Sequence, residues 1–422
     1  MKTNAEAGDK VLVKTKTEEL EGIYIKRPDL LDKNVFILKL NNGYNIGINE
    51  KDVKEIKVLK KYEKPISKVK KITNKKELPN ILIMSTGGTI SSKVDYKTGG
   101  VIAEYTAEDF VEMCPELKNI ANVKAKNVMS IMSEDMNSSD WKKIAEEVHK
   151  EIENYDGVVV TQGTDALGYS AAALSFMLDV NKPVILTASQ KSIDRGSSDA
   201  FFNLICSVNA ASNWDGAEVV VCMHSKSDDE SCSLIKGTKV RKLHTTRRDA
   251  FRCVNDLEFA KVYKDKIELV NENYEIRSDE KAKLDDGCSD EVALVYVHPG
   301  MSPKVFEIYE NYKGIILMGT GLGNIPNNLY KAVKKLTDKG IFVGMTSQCL
   351  YGRTSSTVYS PLRKISLELN VVFLEDMLPE TAFVKLGYVL AKEKDLEKIK
   401  ELMLTNLKGE INHRIYFNSF LN

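Results

Sequence analysis

A chain of 422 residues with 43% hydrophobic content can bury two or three cores, and it is too apolar to read as disordered. Lysine plus arginine and aspartate plus glutamate number 60 each, so the net charge is zero and no global field draws the chain to nucleic acid or to an anionic membrane. The opening Met1-Lys2-Thr3-Asn4-Ala5-Glu6 has no apolar core, which predicts no signal peptide, and no apolar run approaches the roughly 18 residues of a membrane span.

Residues 1 to about 59 read as short strands: Val11–Val13, Gly22–Ile25, Val35–Leu38 and Tyr44–Ile48 are rich in β-branched and aromatic side chains. Asn41-Asn42-Gly43 is a hairpin signal between the last two. The pattern fits a small closed barrel of SH3-like size. From Lys60 to Glu77 there are eight lysines and two glutamates, a stretch that reads as a solvated connector or, alternatively, as an RNA or partner contact.

From Asn80 the pattern changes to apolar strands alternating with helices. Ile81–Met84, Val158–Val160, Val184–Leu186 and Val219–Val221 read as strands, with helices over Ala171–Leu178 and Asp199–Ala210. A second series follows at Val292–Val297, Gly314–Leu317, Ile341–Gly344 and Val371–Leu374. Continuous apolar strands with helices between them imply parallel sheets covered on both faces. The fold expected is α/β, a large doubly wound domain followed by a smaller α/β domain, with polar Ser278–Asp290 as the boundary. The divisions are 1–76 for the barrel and basic linker, 79–282 for the large domain and 290–422 for the smaller one.

In open parallel sheets ligands bind beyond the carboxyl ends of the strands. The first strand of the large domain ends in Ser85-Thr86-Gly87-Gly88-Thr89-Ile90, a tight turn that presents a hydroxyl at Thr89. It is not a P-loop, since no Gly-Lys-Ser/Thr follows. The second strand ends in Thr161-Gln162-Gly163-Thr164-Asp165, running into a helix. Thr164 and Asp165 suit helix caps there; they equally suit an oxyanion site at a helix N-terminus. A threonine nucleophile needs a base, and a lysine can serve when its ammonium is destabilised. The segment Lys239–Phe251 offers several basic residues, and spacing does not choose among them. The seven cysteines lack C-x-x-C spacing and the five histidines lack metal-ligand spacing, which predicts reduced thiols and no metal site. Cys349 with His298 has no local support as a catalytic pair, and Cys349 reads as a buried structural thiol.

Thr86-Gly87-Gly88-Thr89-Ile90, Gln162-Gly163-Thr164-Asp165 and Ser133-Glu134-Asp135-Met136-Asn137 together resemble the signatures of the L-asparaginase/glutaminase family over roughly Leu78 to Leu404. Most members carry histidine where Gln162 stands. The resemblance implies that Thr89 is the nucleophile and that Thr164, Asp165 and Lys242 form a Thr–Lys–Asp relay. Lys242 is chosen because it stands three residues before Thr245-Thr246. The resemblance further implies that Tyr96 helps activate Thr89, that Ser133 and Glu134 bind the substrate's α-carboxylate and α-ammonium, and that Gly88 and Gly163 line the site. The family's asparagine from a neighbouring protomer falls near Pro326, so that contact is not expected here.

An N-terminal barrel on such a body resembles the D-subunit family of archaeal glutamyl-tRNA(Gln) amidotransferases. That resemblance implies a cytoplasmic glutaminase that releases ammonia for conversion of Glu-tRNA(Gln) to Gln-tRNA(Gln). It needs no cofactor of its own; ATP and Mg are used by a partner, the amidotransferase E-subunit. A homodimer within a heterotetramer is expected. The alternatives are a free-standing cytosolic L-asparaginase and an inactive scaffold on the same fold.

Overall fold

The computed structural model describes residues 4–25, 34–41, 45–62, 75–87, 93–94, 101–102, 114–191, 193 and 197–420. The N-terminal unit is an antiparallel sheet of β1 (Lys10–Thr15), β2 (Glu19–Ile25), β3 (Val35–Leu40), β4 (Asn45–Asn49) and β5 (Val53–Lys60) in the order β4-β3-β2-β1-β5. Its core is Val11, Val13, Phe36, Leu38 and Ile48, with Tyr24 stacked on Phe36 at 4.3 Å. β5 is a strand that the sequence reading missed. Its Val-Lys-Glu-Ile-Lys-Val-Leu-Lys sequence buries no residue fully, so its charges mask its alternation. β5 crosses back to pair with β1, and buried Asp9 then fixes the chain's exit by accepting hydrogen bonds from Tyr62 N and Lys61 Nζ, both at 2.9 Å. Of the basic stretch, residues 63–74 lie outside the described residues, as does most of the Asn41–Gly43 turn.

The body's larger sheet runs β15-β14-β11-β10-β9-β8-β6-β7. Its parallel part comprises β6 (Asn80–Ser85), β7 (Asn122–Asn127), β8 (Gly157–Thr161), β9 (Val184–Thr187) and β10 (Val219–His224). An antiparallel flank of β11 (Cys232–Lys236), β14 (Ala260–Val262) and β15 (Ile267–Leu269) extends it, so the sheet is mixed rather than wholly parallel. Alternate residues of each central strand enter opposite cores, as the strand period of two demands. Leu82, Met84, Val158, Val160, Val184 and Leu186 pack beneath α1 (Ser138–Glu151) and α2 (Leu167–Met177). Ile81, Ile83, Val159 and Ile185 pack beneath α3 (Ala200–Asn213). Helix α1 was not among the expected elements. It opens with a capping box in which Asn137 and Asp140 satisfy each other's backbone N–H groups, and it buries Trp141, Ile144 and Val148.

The smaller unit is the parallel sheet of β16 (Val292–Tyr296), β17 (Gly314–Gly319), β18 (Phe342–Ser347) and β19 (Val372–Phe373). It is flanked by α4 (Tyr330–Asp338), α5 (Ser360–Leu367), α6 (Pro379–Leu390) and α7 (Leu396–Leu404). Helix α6 also packs on α2, where Tyr169 meets Phe383 edge-on at 6.1 Å and Phe176 stacks near Tyr388 at 5.8 Å. The polar stretch read as a boundary is itself anchored to the larger sheet's unit. Lys283–Leu284 pairs with Leu178–Asp179, and Ala282 N donates to Glu153 at 2.9 Å.

Two ion pairs have no access to water, one joining the smaller unit to the larger and one within the smaller unit. Lys239 Nζ lies 2.7 Å from Asp376 Oδ2, with both side chains at 0% exposure. Lys385, also fully buried, pairs with Glu410 at 2.5 Å and donates to Met403 O at 3.1 Å. Burial depresses the Lys385 pKa below the usual lysine range, against the pull of Glu410. Breaking such a pair strands a charge, which typically costs about 3–5 kcal/mol. Asp376→Ala is therefore expected to lower unfolding stability by about that amount, read from the urea midpoint at fixed slope; a loss below about 1 kcal/mol would show the pair to be dispensable.

Candidate active site

The two threonine loops leave the sheet as neighbours because of strand register. Ser85 and Thr187 both lie opposite Thr161 across adjacent strands. Thr86 N and Oγ1 then donate to Thr161 O at 3.0 and 3.2 Å, joining the first loop to the root of the second. Gly87 follows at φ +112°, and a Cβ there would lie 2.5 Å from the carbonyl oxygen of Ile131. Only glycine meets both conditions. Its close approach brings in the loop carrying Ser133, which Ile131 N also fastens to Thr86 O at 3.0 Å.

The second loop is built around Ser133. That side chain is 3% exposed, and its oxygen accepts from Asp165 N at 3.2 Å. Gly163 passes so close that a Cβ would sit 2.6 Å from Ser133 Oγ. Glu134 is exposed beside it on the short Ser133–Asp135 turn. Helix α2 begins at Leu167 with Ala166 at its cap position, and no side chain caps it. Thr164 and Asp165 are thus not capping groups; their side chains are engaged elsewhere.

Their partner is Lys242, whose Nζ donates to Thr164 Oγ1 at 2.8 Å and to Asp165 Oδ1 at 2.7 Å. The lysine side chain is 18% exposed and the aspartate 63%, so the group opens to solvent on the carboxylate side. Lys242 ends β12 (Val240–Lys242), which pairs with β13 (Phe251–Cys253) in a hairpin that Leu243 N closes onto Ala250 O at 2.7 Å. Asp249 staples the loop by accepting from Arg247 Nε and Nη2, both at 2.8 Å, and from Arg252 at 2.6 Å. The Arg247 bonds, then Arg252, pull the Asp249 pKa down to about 2, so the staple is ionised throughout the neutral range.

Geometry also separates the lysines that spacing left open. Lys236 is buried 3.8 Å from Asp256 and Lys239 is paired with Asp376, so of these three only Lys242 reaches Thr164. The Lys239–Asp376 pair, which fixes the start of the hairpin, was missed by sequence reasoning. Its partners lie 137 residues apart and carry no local signal. Thr89, Gly88 and Tyr96 lie outside the described residues. Gln162 is fully buried at the head of the second loop, with its amide nitrogen 3.4 Å from Gly163 O. Cys349 is exposed, as is His298, which corrects the reading of Cys349 as a buried thiol; it lies in the open loop after β18 rather than on the strand. Among the described residues no group of three or more His, Cys, Asp or Glu side chains is arranged to hold a metal ion.

Comparison with known proteins agrees with this architecture. Residues 80–275 match the family described as Asparaginase, N-terminal, and residues 291–403 match the Glutaminase/Asparaginase C-terminal domain. The thermostable L-asparaginase from Thermococcus kodakarensis superposes with a TM-score of 0.72 at 30% identity, covering 79% of this chain and 99% of that one. L-asparaginase I from Vibrio cholerae gives 0.69 at 27% identity with the same coverage. The body of the chain is thus of the asparaginase class.

Residues 5–59, outside both of these family matches, match the GatD N-terminal domain. The glutamyl-tRNA(Gln) amidotransferase D-subunit of Pyrococcus furiosus is 47% identical over 410 residues, 96% of this chain and 93% of its own length. That of Methanosphaera stadtmanae is 43% identical over 428 residues, 99% and 97% respectively. The chain belongs to the D-subunit family of glutamyl-tRNA(Gln) amidotransferases. No helix among the described residues is long and apolar enough to cross a membrane.

The contact between Gly163 and Ser133 yields a test that needs no assay. Gly163→Ala is expected to displace Ser133 and cost about 1–3 kcal/mol, as overpacking does. A crystal structure of the variant should show Ser133 Oγ out of hydrogen-bond reach of Asp165 N. An unmoved serine with unchanged Tm would refute the contact.

Proposed function

We propose that this chain hydrolyses glutamine to glutamate and ammonia, and that the ammonia is consumed in the conversion of Glu-tRNA(Gln) to Gln-tRNA(Gln). The observation that carries the reading is the Lys242 ammonium shared between Thr164 and Asp165 beyond the strand ends, in a chain whose full-length relatives are amidotransferase subunits.

In this reading Thr89 attacks the side-chain amide carbon, with Tyr96 helping to take its proton and the Gly88 and Gly163 loops beside the carbonyl oxygen; the C–N bond breaks as ammonia leaves with a proton, and water then releases glutamate from the threonine. Thr164, Lys242 and Asp165 form the proton relay. Ser133 Oγ already accepts from Asp165 N, so its own hydrogen is left to donate to the α-carboxylate of glutamine. Glu134 and the exposed Asp165 carboxylate receive the α-ammonium. A substrate ammonium that takes a share of Asp165 loosens the carboxylate's hold on Lys242 and leaves the lysine freer to engage Thr164. Such coupling limits hydrolysis to molecules that carry the whole amino-acid head.

The proposed domain divisions are those expected from sequence, with the N-terminal barrel serving assembly rather than chemistry. The partner is the amidotransferase E-subunit, which uses ATP and Mg to activate the glutamate on the tRNA. The working unit is a homodimer within a heterotetramer, in the cytoplasm. The test is glutamine turnover by the purified chain alone and with the E-subunit plus glutamyl-tRNA(Gln). Turnover should rise on adding both, since binding that favours a closed site shifts its population. Fast asparagine hydrolysis by the lone chain, indifferent to both additions, would favour a free-standing asparaginase.

The relay yields a second expectation. Lys242→Arg preserves charge but cannot deprotonate at working pH. It should fold normally by circular dichroism and lose glutamine turnover by about three orders of magnitude. Turnover within tenfold of the parent would remove Lys242 from the proton path.

A further inference from the structure

The segment after α7 is not accounted for by the asparaginase match, which ends at residue 403. The M. stadtmanae relative aligns with 99% of this chain, so full-length relatives of the amidotransferase family share this region. The segment is held at its foot. Asn412 N donates to Asp376 Oδ1 at 2.9 Å, and Asn412 Nδ2 donates to Asn255 O at 2.8 Å and Asp376 Oδ2 at 3.2 Å. Arg353 Nη2 donates to Asn412 O at 2.8 Å. Asn255 and Glu375, beside this node, are held at φ 63° and 57°, left-handed conformations that persist only where surrounding bonds impose them.

Beyond the fixed foot the side chains turn outward. Tyr416 is 43% exposed, Phe420 62% and Phe417 fully exposed. The Phe420 ring meets Tyr351 edge-on at 5.2 Å, and with Gly352, Ile415 and Phe417 these residues line an open cavity of about 720 Å³. Exposed aromatics on one rigidly footed segment fit a protein partner better than water. Fixing them beforehand removes part of the ordering cost of association.

We propose that residues 404–420 are the docking element for the ATP-using partner, which receives Phe417 and Phe420 in an apolar pocket. The occupant follows from coverage: the region lies beyond the asparaginase domains and within the aligned length of the amidotransferase relatives. Its foot rests on Asp376, whose partner Lys239 stands three residues before Lys242, so docking bears on the same hairpin that carries the relay. This rests on the amidotransferase reading above.

The experiment uses the full chain and Phe417→Ser, alone and combined with Phe420→Ser. Affinity for the E-subunit is measured by calorimetry, oligomer mass by light scattering, and glutamine turnover with and without that partner. The expected result is a loss of affinity of about tenfold or more, as for an aromatic anchor. Stimulation should fall in step, with basal turnover and homo-oligomer mass unchanged. Undiminished affinity in the double variant overturns the proposal. A drop in homo-oligomer mass with affinity intact also overturns it and assigns the face to a second copy of the chain. Failure of the parent chain to bind the E-subunit at all would instead remove the amidotransferase reading itself.

Discussion

An ammonium group without access to water must be answered by a carboxylate, because the cost of leaving it alone in a low dielectric exceeds what the fold can bear. Lys239 imposes that requirement on this chain. Its answer, Asp376, comes from the far unit, and the same carboxylate also accepts from Asn412. One buried charge thereby pins three parts of the sequence at a single point: the approach to β12, the end of the small parallel sheet and the C-terminal segment. The β12–β13 hairpin inherits its position from this point, since Lys239 directly precedes the strand that delivers Lys242.

Lys242 differs from its neighbours in its surroundings. Lys236 and Lys239 are enclosed beside carboxylates, which suits a structural role. Lys242 is partly open, and one of its two bonds goes to a hydroxyl. A lysine bonded to a threonine on one side and to an exposed carboxylate on the other has a hydroxyl within reach and a partner that a ligand can engage. That contrast, rather than basicity in itself, is what the proposed relay rests on.

The polar parts of the cleft are arranged by backbone constraints more than by side-chain attraction. Gly87 and Gly163 let the Ser133 loop approach both threonine loops closely, and each position would clash if it carried a methyl group. Strand register places those loops next to each other before any side chain is considered. A hydroxyl, a carboxylate and an ammonium can then converge within hydrogen-bond distance on the scaffold with little rotamer freedom left to lose.

The central parallel strands were legible because their apolar runs are buried on both faces and leave an unbroken signal, as at Ile81–Met84 and Val158–Val160. β5, β7 and α1 were not legible, because strands at a sheet edge and helices at a surface carry charge on one face, which dilutes the pattern. The glycine-threonine loops stood out because local backbone geometry restricts which residues can occupy them. Residue identity alone therefore determined the fold class, the two loops and the candidate residues Thr164, Asp165 and Ser133, all properties of short stretches of chain. Lys242 was singled out by family resemblance and not by spacing; that it meets Thr164 across the fold, and that Asp376 and Asn412 hold the hairpin from a distance, were decided only by tertiary structure. Contacts across 78 and 137 residues arise from tertiary packing within and between the two units, and no local preference encodes them.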